Sequence, residues 1–484
     1  MLACRFRRAA PEGSGSAGGP LLLPVPADAL PPALHEAAAA ARFTGAAGSR
    51  LDLPGRPRRL LFGLGRPARP LDWEMAGAGI AATLADAPRA VLDARGLGPA
   101  PAAWLAAGVA LGAWRLRRPG GPPMLERLTV LADDPRAAER AWEGVAPSIE
   151  GCLWARDLVA EPANRLTTRR FVQELEALAE HGIHVDVWGR KRLARAGFGA
   201  LLAVGQGAGQ ASPPRLAVLR WRGTLMAPPV AFVGKGLVFD TGGLSIKPAQ
   251  GMAAMRADMA GAAACAGAML ALARRHSPCP AIAVLALAEN ATGAASYRPA
   301  DVLRTASGRT VEVVDTDAEG RLVLADALHH AVTEFRPRCV IDLATLTGAV
   351  VSALGHHRAG LFGNDAALQA ALAAAGDAVG EALWPLPIGA RHRADLHSDI
   401  ADLRQCVPAG SGQGWAGRFT PDASHAAAFL REFVGDTPWA HGDIAGVDTQ
   451  DAAHALGPAG PTGFGVRLLD RLVATRYEEE LHHP

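Results

Sequence analysis

Two acidic clusters and two lysines in the second half of the chain have the side-chain types and spacing to do chemistry. Asp240, in "VFDTGG", is followed eighteen residues later by Asp258, in "MRADMAGAAA". The stretch "VVDTDAEGRL" then supplies Asp315, Asp317, Glu319 and Arg321. In an extended segment Asp315, Asp317 and Glu319 point the same way, because side chains alternate along a strand. Carboxylates gathered on one side repel each other unless a cation or an exposed face relieves them. A lone "DTDAEG" is most simply a solvated turn, so the combination has to carry the case. Asp240, Asp258, Asp317 and Glu319 supply four negative charges, which would neutralise two divalent cations. Oxygen-rich ligation suits Mg, Mn or Zn in a hydrolytic centre. Two such ions about 3.5–4 Å apart can activate a shared water while polarising a carbonyl.

The lysines sharpen this reading. The chain has 49 Lys and Arg residues, yet only Lys191, Lys235 and Lys247 are lysines. Two of the three lie twelve residues apart in "GKGLVFDTGGLSIKP". Arginine cannot lose its proton in a protein, whereas a desolvated lysine can. A bound metal favours the uncharged amine, so Lys235 is a candidate ligand of a kind arginine cannot replace.

These residues need a scaffold that places them together. From about residue 155 the runs "RLAVLRW", "PVAFVGKGLVF", "AIAVLALAE" and "CVIDLATLTG" have the length and apolarity of buried strands. Helical segments separate several of them, including "RLVLADALHHAVTEF", which carries Leu324, Leu328 and Val332 on one stripe. Strands alternating with helices predict a largely parallel sheet covered on both faces, with sites at the carboxyl ends of its strands. Residues 1–132 read as a smaller α/β domain, with strands at "RRLLFGLG" and "RLTVLA". Residues 133–154 read as a helical connector capped by Asp134, and 155–484 as the domain that carries the site.

The totals exclude several classes. Hydrophobic content of 49% and charged content of 20% describe a globular chain, and the net charge of +2 gives no reason to expect a polyanionic partner. Six scattered cysteines without a CxxC pair argue against a zinc ribbon or disulfide framework and fit a reducing cytosol. No apolar run reaches the roughly 20 residues of a membrane span. The first residues lack an apolar core followed by a cleavage site, so no secretory signal is expected.

Taken together the motifs resemble the leucyl aminopeptidase family, the cytosolic dinuclear metallopeptidases of peptidase family M17. The family's signature, asparagine followed by Thr-Asp-Ala-Glu-Gly-Arg-Leu, stands here as "DTDAEGRL", and its lysine-bearing loop as "VGKGLVFDTGGLSIKP". "RDLVAEPAN", "YRPADVL", "DLATLTGAVVSALG" and "WAHGDIAG" extend the likeness over roughly 155–470. The resemblance implies a mixed eight-stranded sheet between helices in the peptidase domain. It implies Lys235, Asp240, Asp258 and Glu319 as ligands of a tighter metal. Asp240, Asp317 and Glu319 would bind an exchangeable one, with Asp240 and Glu319 bridging. It implies Lys247 as the cation beside the reacting carbonyl. Arg321 would hold a bicarbonate that acts as general base, with help from the loop at Leu346. Met255, Thr345 and Gly348 match positions lining the pocket for the first side chain, although Met255 alone would read as a core methionine. The implied protein is a cytoplasmic homohexamer acting on short peptides.

Some residues depart from the family pattern. Asp315 stands where asparagine is usual, Thr241 replaces a serine, and Ala160 replaces an asparagine. "GRFTPDASHAAAFLREF" departs from a usual Gly-Ala-Ile-Thr-Ala stretch, around 417–427. None of these removes a ligand, which argues against a catalytically silent homologue; only Asp315 leaves that reading open. A DNA-binding reading would rest on "GRPRRLLFGLGRPARP" and "WRLRRPGG", but charge runs are usually solvated faces and nucleic acid is not expected. "VGQGAGQ" lacks the rest of a dinucleotide fingerprint, and in "GKG" Gly236 stands where a phosphate loop needs Ser or Thr. The adjacent pairs His329-His330 and His356-His357 point to different faces and make poor chelates.

Overall fold

The computed structural model describes residues 2–9, 19–27, 30, 32–55, 57–84, 87–116, 124–408 and 420–478. Part of the divergent stretch (417–419), Arg56 and the tail of "WRLRRPGG" lie outside the described residues. The chain divides into two compact units. One is Met1–Leu153 with Asp451–Gly460, and the other is Trp154–Gln450 with Pro461–Pro484.

The first unit is built on a six-stranded sheet. Its strands are β1 (Ala3–Arg7), β2 (Leu21–Pro26), β3 (Arg50–Leu53), β4 (Arg59–Gly65), β5 (Arg89–Asp93) and β6 (Arg127–Leu131), in the order β1-β6-β5-β2-β4-β3. All pairs are parallel except β3 with β4. The strands predicted at "RRLLFGLG" and "RLTVLA" are β4 and β6. A helix then runs over Pro135–Ala160, longer than the predicted connector. Asp134 Oδ1 accepts from the Ala137 amide at 3.0 Å, capping its start as expected.

The second unit holds an eight-stranded mixed sheet. It comprises β7 (His184–Trp188), β8 (Arg215–Trp221), β9 (Val230–Asp240) and β10 (Ala281–Asn290). Short β11 (Val302–Arg304) and β12 (Thr310–Glu312) form a separate sheet with β16 (Leu403–Arg404). The main sheet is completed by β13 (Cys339–Ala344), β14 (Ala359–Gly363), β15 (Leu383–Pro385) and β17 (Trp439–Asp443), in the order β15-β14-β17-β13-β9-β10-β8-β7. Its centre, β17-β13-β9-β10, is parallel, and β8 and β7 add antiparallel at one side. This is the layered α/β fold that the alternation of apolar runs and helical segments predicts.

Helices pack on this sheet through small and apolar side chains. Ala260–Arg274, rich in alanine, is buried from end to end of its first fourteen residues. Glu319–Phe335 buries Leu324 and Leu328 against β9 and β10, while Val332 is half-buried. His330 packs edge-on against Trp188, Phe198 and Phe335, a core role. His356 Nδ1 pairs with the Gly446 carbonyl at 2.8 Å. "VGQGAGQ" forms the end of a short helix and a run of turns. No helix among the described residues is long and apolar enough to cross a membrane.

Candidate metal centre

β9 is an inner strand of the parallel block, and two of the site residues ride on it. Its sequence, VAFVGKGLVFD, is buried almost throughout, so Lys235 lies inside the sheet and Asp240 at its carboxyl end. Asp258 caps the short turn Ala253–Ala257. Asp317 sits in the turn that leads into the helix Glu319–Phe335, and Glu319 is that helix's first residue. The expected extended run from Asp315 to Glu319 is therefore replaced by a turn. Asp315 Oδ1 accepts from the Asp317 amide at 2.9 Å, so this carboxylate turns back onto the backbone while Asp317 and Glu319 converge.

Carboxylate oxygens of Asp240, Asp317 and Glu319 come within 4.8 Å of one another. Lys235, 2% exposed, joins Asp258 to this group: its Nζ is 2.8 Å from Asp258 Oδ1 and 2.9 Å from Glu319 Oε1, and donates to the Thr345 carbonyl at 2.8 Å. Lys247 Nζ lies 2.9 Å from Asp240 Oδ2 and 2.5 Å from Asp317 Oδ1. The two lysines thus divide the four carboxylates between them. Burial pushes Asp258 well above the usual carboxylate range, and burial with the Asp240 charge raises Glu319. Asp317 rises to about 7 through burial and the neighbouring Glu319 charge. Burial alone would lower both lysines, but the surrounding carboxylates hold them raised.

Several supporting groups were not legible in advance. Asn290, at the end of β10, donates through Nδ2 to Asp240 Oδ1 at 2.7 Å and to the Thr316 carbonyl at 2.9 Å. Gln405 is fully buried and holds the 314–318 loop: its Nε2 donates to the Asp315 and Ala318 carbonyls, and its Oε1 accepts from the Val314 amide. Asp443, ending β17, accepts from the Leu346 amide at 3.0 Å and the Thr347 hydroxyl at 2.7 Å. That fixes the loop whose Thr345 hydroxyl donates to Asp258 Oδ1 at 2.7 Å. The only sequence signal for Asn290 and Asp443 is a polar residue ending an apolar strand.

The remaining expected residues lie within three positions in the chain of Asp258, Glu319 or Thr345. Met255 is half-buried in the turn before Asp258, so it is not a core methionine. Gly348 opens the helix Gly348–Leu354, and a Cβ there would meet only open space. Arg321 is 2% exposed; its Nη1 donates to the Gln405 carbonyl at 3.0 Å and its Nη2 to Asp422 Oδ1 at 2.9 Å. The arginine-rich surface of the first unit is neutralised locally at Arg58, paired with Asp52, and at Arg69, paired with Asp72.

The residues present fit divalent cations. Asp258 Oδ2 and Glu319 Oε2 are buried without a hydrogen-bond partner, a costly state that a cation relieves. At Arg321 both Nη atoms are engaged, but Nε is buried without a hydrogen-bond partner and remains as a donor for a small anion, while the Leu346 amide is bound to Asp443.

Comparison with known proteins decides the family. The sequence profile of the cytosol aminopeptidase family, catalytic domain, matches residues 153–470. The chain belongs to the cytosol aminopeptidase family. A probable cytosol aminopeptidase of Brucella anthropi is 42% identical over 457 residues, covering 90% of this chain and 89% of the relative. Among solved structures, the bottromycin maturation enzyme BotP in complex with Mn is 34% identical with a TM-score of 0.84, covering 94% of this chain and 99% of BotP. A cytosol aminopeptidase from Coxiella burnetii is 30% identical with a TM-score of 0.82, covering 98% and 99%. As a member of this family, the protein is a metallo-aminopeptidase, a hydrolase of peptide bonds.

Proposed function

We propose that the protein uses two divalent cations, with Mn, Zn and Mg as the candidates, to remove N-terminal residues from short peptides. The observation that carries this is the pair of unpartnered buried oxygens, Asp258 Oδ2 and Glu319 Oε2, beside Lys235. Lys235, Asp240, Asp258 and Glu319 would hold the tighter cation. Asp240, Asp317 and Glu319 would hold the exchangeable one. Two cations there supply a more acidic shared water and a polarised scissile carbonyl. A Lys235 ligand has to be neutral, which the cations favour by taking over the carboxylate charges that now raise its pKa. Asp258 would steady the substrate's free α-amino group, which would limit cleavage to the first peptide bond.

Lys247 is only partly enclosed, with a side chain 20% exposed, so it can leave Asp240 and Asp317 when cations neutralise them. Its ammonium would then face the developing oxyanion. Met255, Thr345 and Gly348 would line the pocket for the first side chain, with the open space at Gly348 admitting it. Arg321 and Leu346 take the bicarbonate-binding role in the family resemblance. Arg321 Nε, buried without a hydrogen-bond partner, is the donor that would meet such an anion, and no step is routed through it. Cytoplasmic location and a homohexamer complete the reading, both resting on family likeness.

The test is hydrolysis of leucine p-nitroanilide by metal-stripped protein before and after Mn or Zn is added, with Lys247→Ala alongside. Restored activity that Lys247→Ala lacks supports the reading. Absence of turnover, here and on a panel of dipeptides, overturns it.

A further inference from the structure

Thr316, between Asp315 and Asp317, is sealed from solvent and commits every polar atom it owns. Its hydroxyl donates to the Gly242 carbonyl at 2.6 Å and accepts from the Ser245 amide at 2.7 Å. Its amide donates to Ser245 Oγ at 3.2 Å. Its carbonyl accepts from Asn290 Nδ2 at 2.9 Å and from the Tyr297 hydroxyl at 2.8 Å. The bonds to Gly242 and Ser245 run to the 241–247 loop, which carries Lys247 away from the end of β9. This loop lies against the carboxylate cluster: a Cβ on Gly242 would stand 2.9 Å from Asp317 Oδ1 and 3.1 Å from the Lys247 amide nitrogen. It is tied within itself and to its neighbours as well. The Lys247 amide donates to the Thr241 carbonyl at 2.9 Å, and the Thr292 hydroxyl to the Gly243 carbonyl at 2.8 Å.

The bonds from Thr316 to this loop use no ligand carboxylate, so cations arriving at the cluster leave them intact. The Lys247 ammonium is held differently, by Asp240 and Asp317, and gives up those pairs when cations neutralise them. The loop backbone then stays where Thr316 clasps it, and only the lysine side chain swings. A buried hydroxyl that donates once and accepts once fixes direction as well as distance.

We propose that Thr316 is a positioning residue: it clasps the loop of Lys247 to the loop of Asp317, so that the ammonium and the exchangeable cation keep one separation. The proposal rests on the aminopeptidase reading above and deepens it. Thr316 acts through Lys247 and Asp317 and touches no substrate. Ser245 is its counterpart on the other loop, bonded to it through both amide and hydroxyl.

The experiment uses the full chain as wild type, Thr316→Val, Thr316→Ser and Ser245→Ala, each stripped of metal and titrated with Mn by calorimetry. Leucine p-nitroanilide turnover follows on the Mn-loaded proteins, and urea midpoints check folding. Thr316→Val keeps the volume and deletes the hydroxyl, leaving the Gly242 carbonyl and the Ser245 amide without that partner. It should bind the weaker of two Mn ions about 10–100-fold less tightly. Its kcat should fall about 100-fold, the effect of a small misplacement, with KM nearly unchanged. Thr316→Ser restores the hydroxyl and should recover most of both losses, which a packing defect would not allow. Ser245→Ala removes one bond of the clasp at a half-buried position and should show smaller losses in the same direction. It carries the test if Thr316→Val does not fold. As a control, Thr168→Val deletes another buried hydroxyl, which donates to the Pro213 carbonyl, and should lose stability alone. Wild-type kcat and Mn affinity in a folded Thr316→Val, or in Ser245→Ala if that protein has to stand in, overturn the proposal. So does a Thr316→Ser protein as impaired as Thr316→Val. If wild type binds Mn but turns over nothing, the aminopeptidase reading fails instead, and the Mn affinities still decide whether Thr316 holds the centre.

Discussion

Gly320 lies directly against the side chain of Lys235: a Cβ at this position would be 2.8 Å from Lys235 Cδ, Cε and Nζ. Glycine in "EGR" is thus set by the close passage of a buried lysine between two ligand-bearing elements, not by its backbone freedom. Gly320→Ala has to push Lys235 away from Asp258 and Glu319 or distort the first turn of the helix. Cation affinity at the tighter position should fall about 10–100-fold, the range for displaced supporting groups at metal sites. Calorimetric titration of stripped protein with Mn checks this, and unchanged affinity would show that Lys235 is not a ligand.

Asn290 holds Asp240 and the Thr316 carbonyl with one amide group. Asn290→Leu preserves much of the volume but leaves both acceptors without that donor. We expect about 10–100-fold weaker cation binding with a smaller change in KM. A loss confined to KM would place Asn290 with the substrate instead.

Asp315 is the departure that leaves a silent homologue open. Its Oδ1 accepts from the Asp317 amide, a role the Oδ1 of asparagine fills equally well. Asp315→Asn should therefore change stability by no more than about 0.5 kcal/mol, with kcat preserved. A large gain in kcat would mean that the extra charge restrains the site.

Asp326 gives a pH dependence away from the metal centre. It is fully buried and accepts from the Leu201 amide at 2.9 Å and the Ala306 amide at 2.7 Å; burial pushes its pKa up to about 7 from 3.8. The folded state then binds the proton more tightly than the unfolded chain. Its contribution is complete below about pH 3.8 and declines as pH rises through about 7. At about 1.4 kcal/mol per pKa unit, the swing is on the order of 4 kcal/mol. Asp326→Asn should be less stable at low pH, because its amide NH2 faces a backbone donor. Its deficit should shrink as pH rises from 4 to 8. Urea midpoints of both proteins across that range test this, and a constant deficit would refute the buried titration.

The combination of acidic residues and lysines in the sequence brought out Asp240, Asp258, Asp317 and Glu319, because gathered carboxylates need a cation or an exposed face to relieve them. Strands and helices were legible for a similar reason: apolar length and period are local properties, and β9, β10, β13 and the helix Glu319–Phe335 stand where those patterns put them. The direction of Asp315 was not legible, since alternation assumes an extended chain and the turn at 315–318 removes it. Partners far apart in sequence were beyond reach as well. Asp443 meets Leu346, and Asn290 meets Asp240, because β17, β13, β9 and β10 lie side by side in the parallel block. Gln405 reaches the 314–318 loop, and Asp422 reaches Arg321 across 101 positions. The sequence by itself determined which groups must be neutralised and which segments fold as strands and helices. Only the tertiary structure decided which neighbour neutralises or positions each one, because side-chain pairing depends on the order in which the sheet assembles its strands.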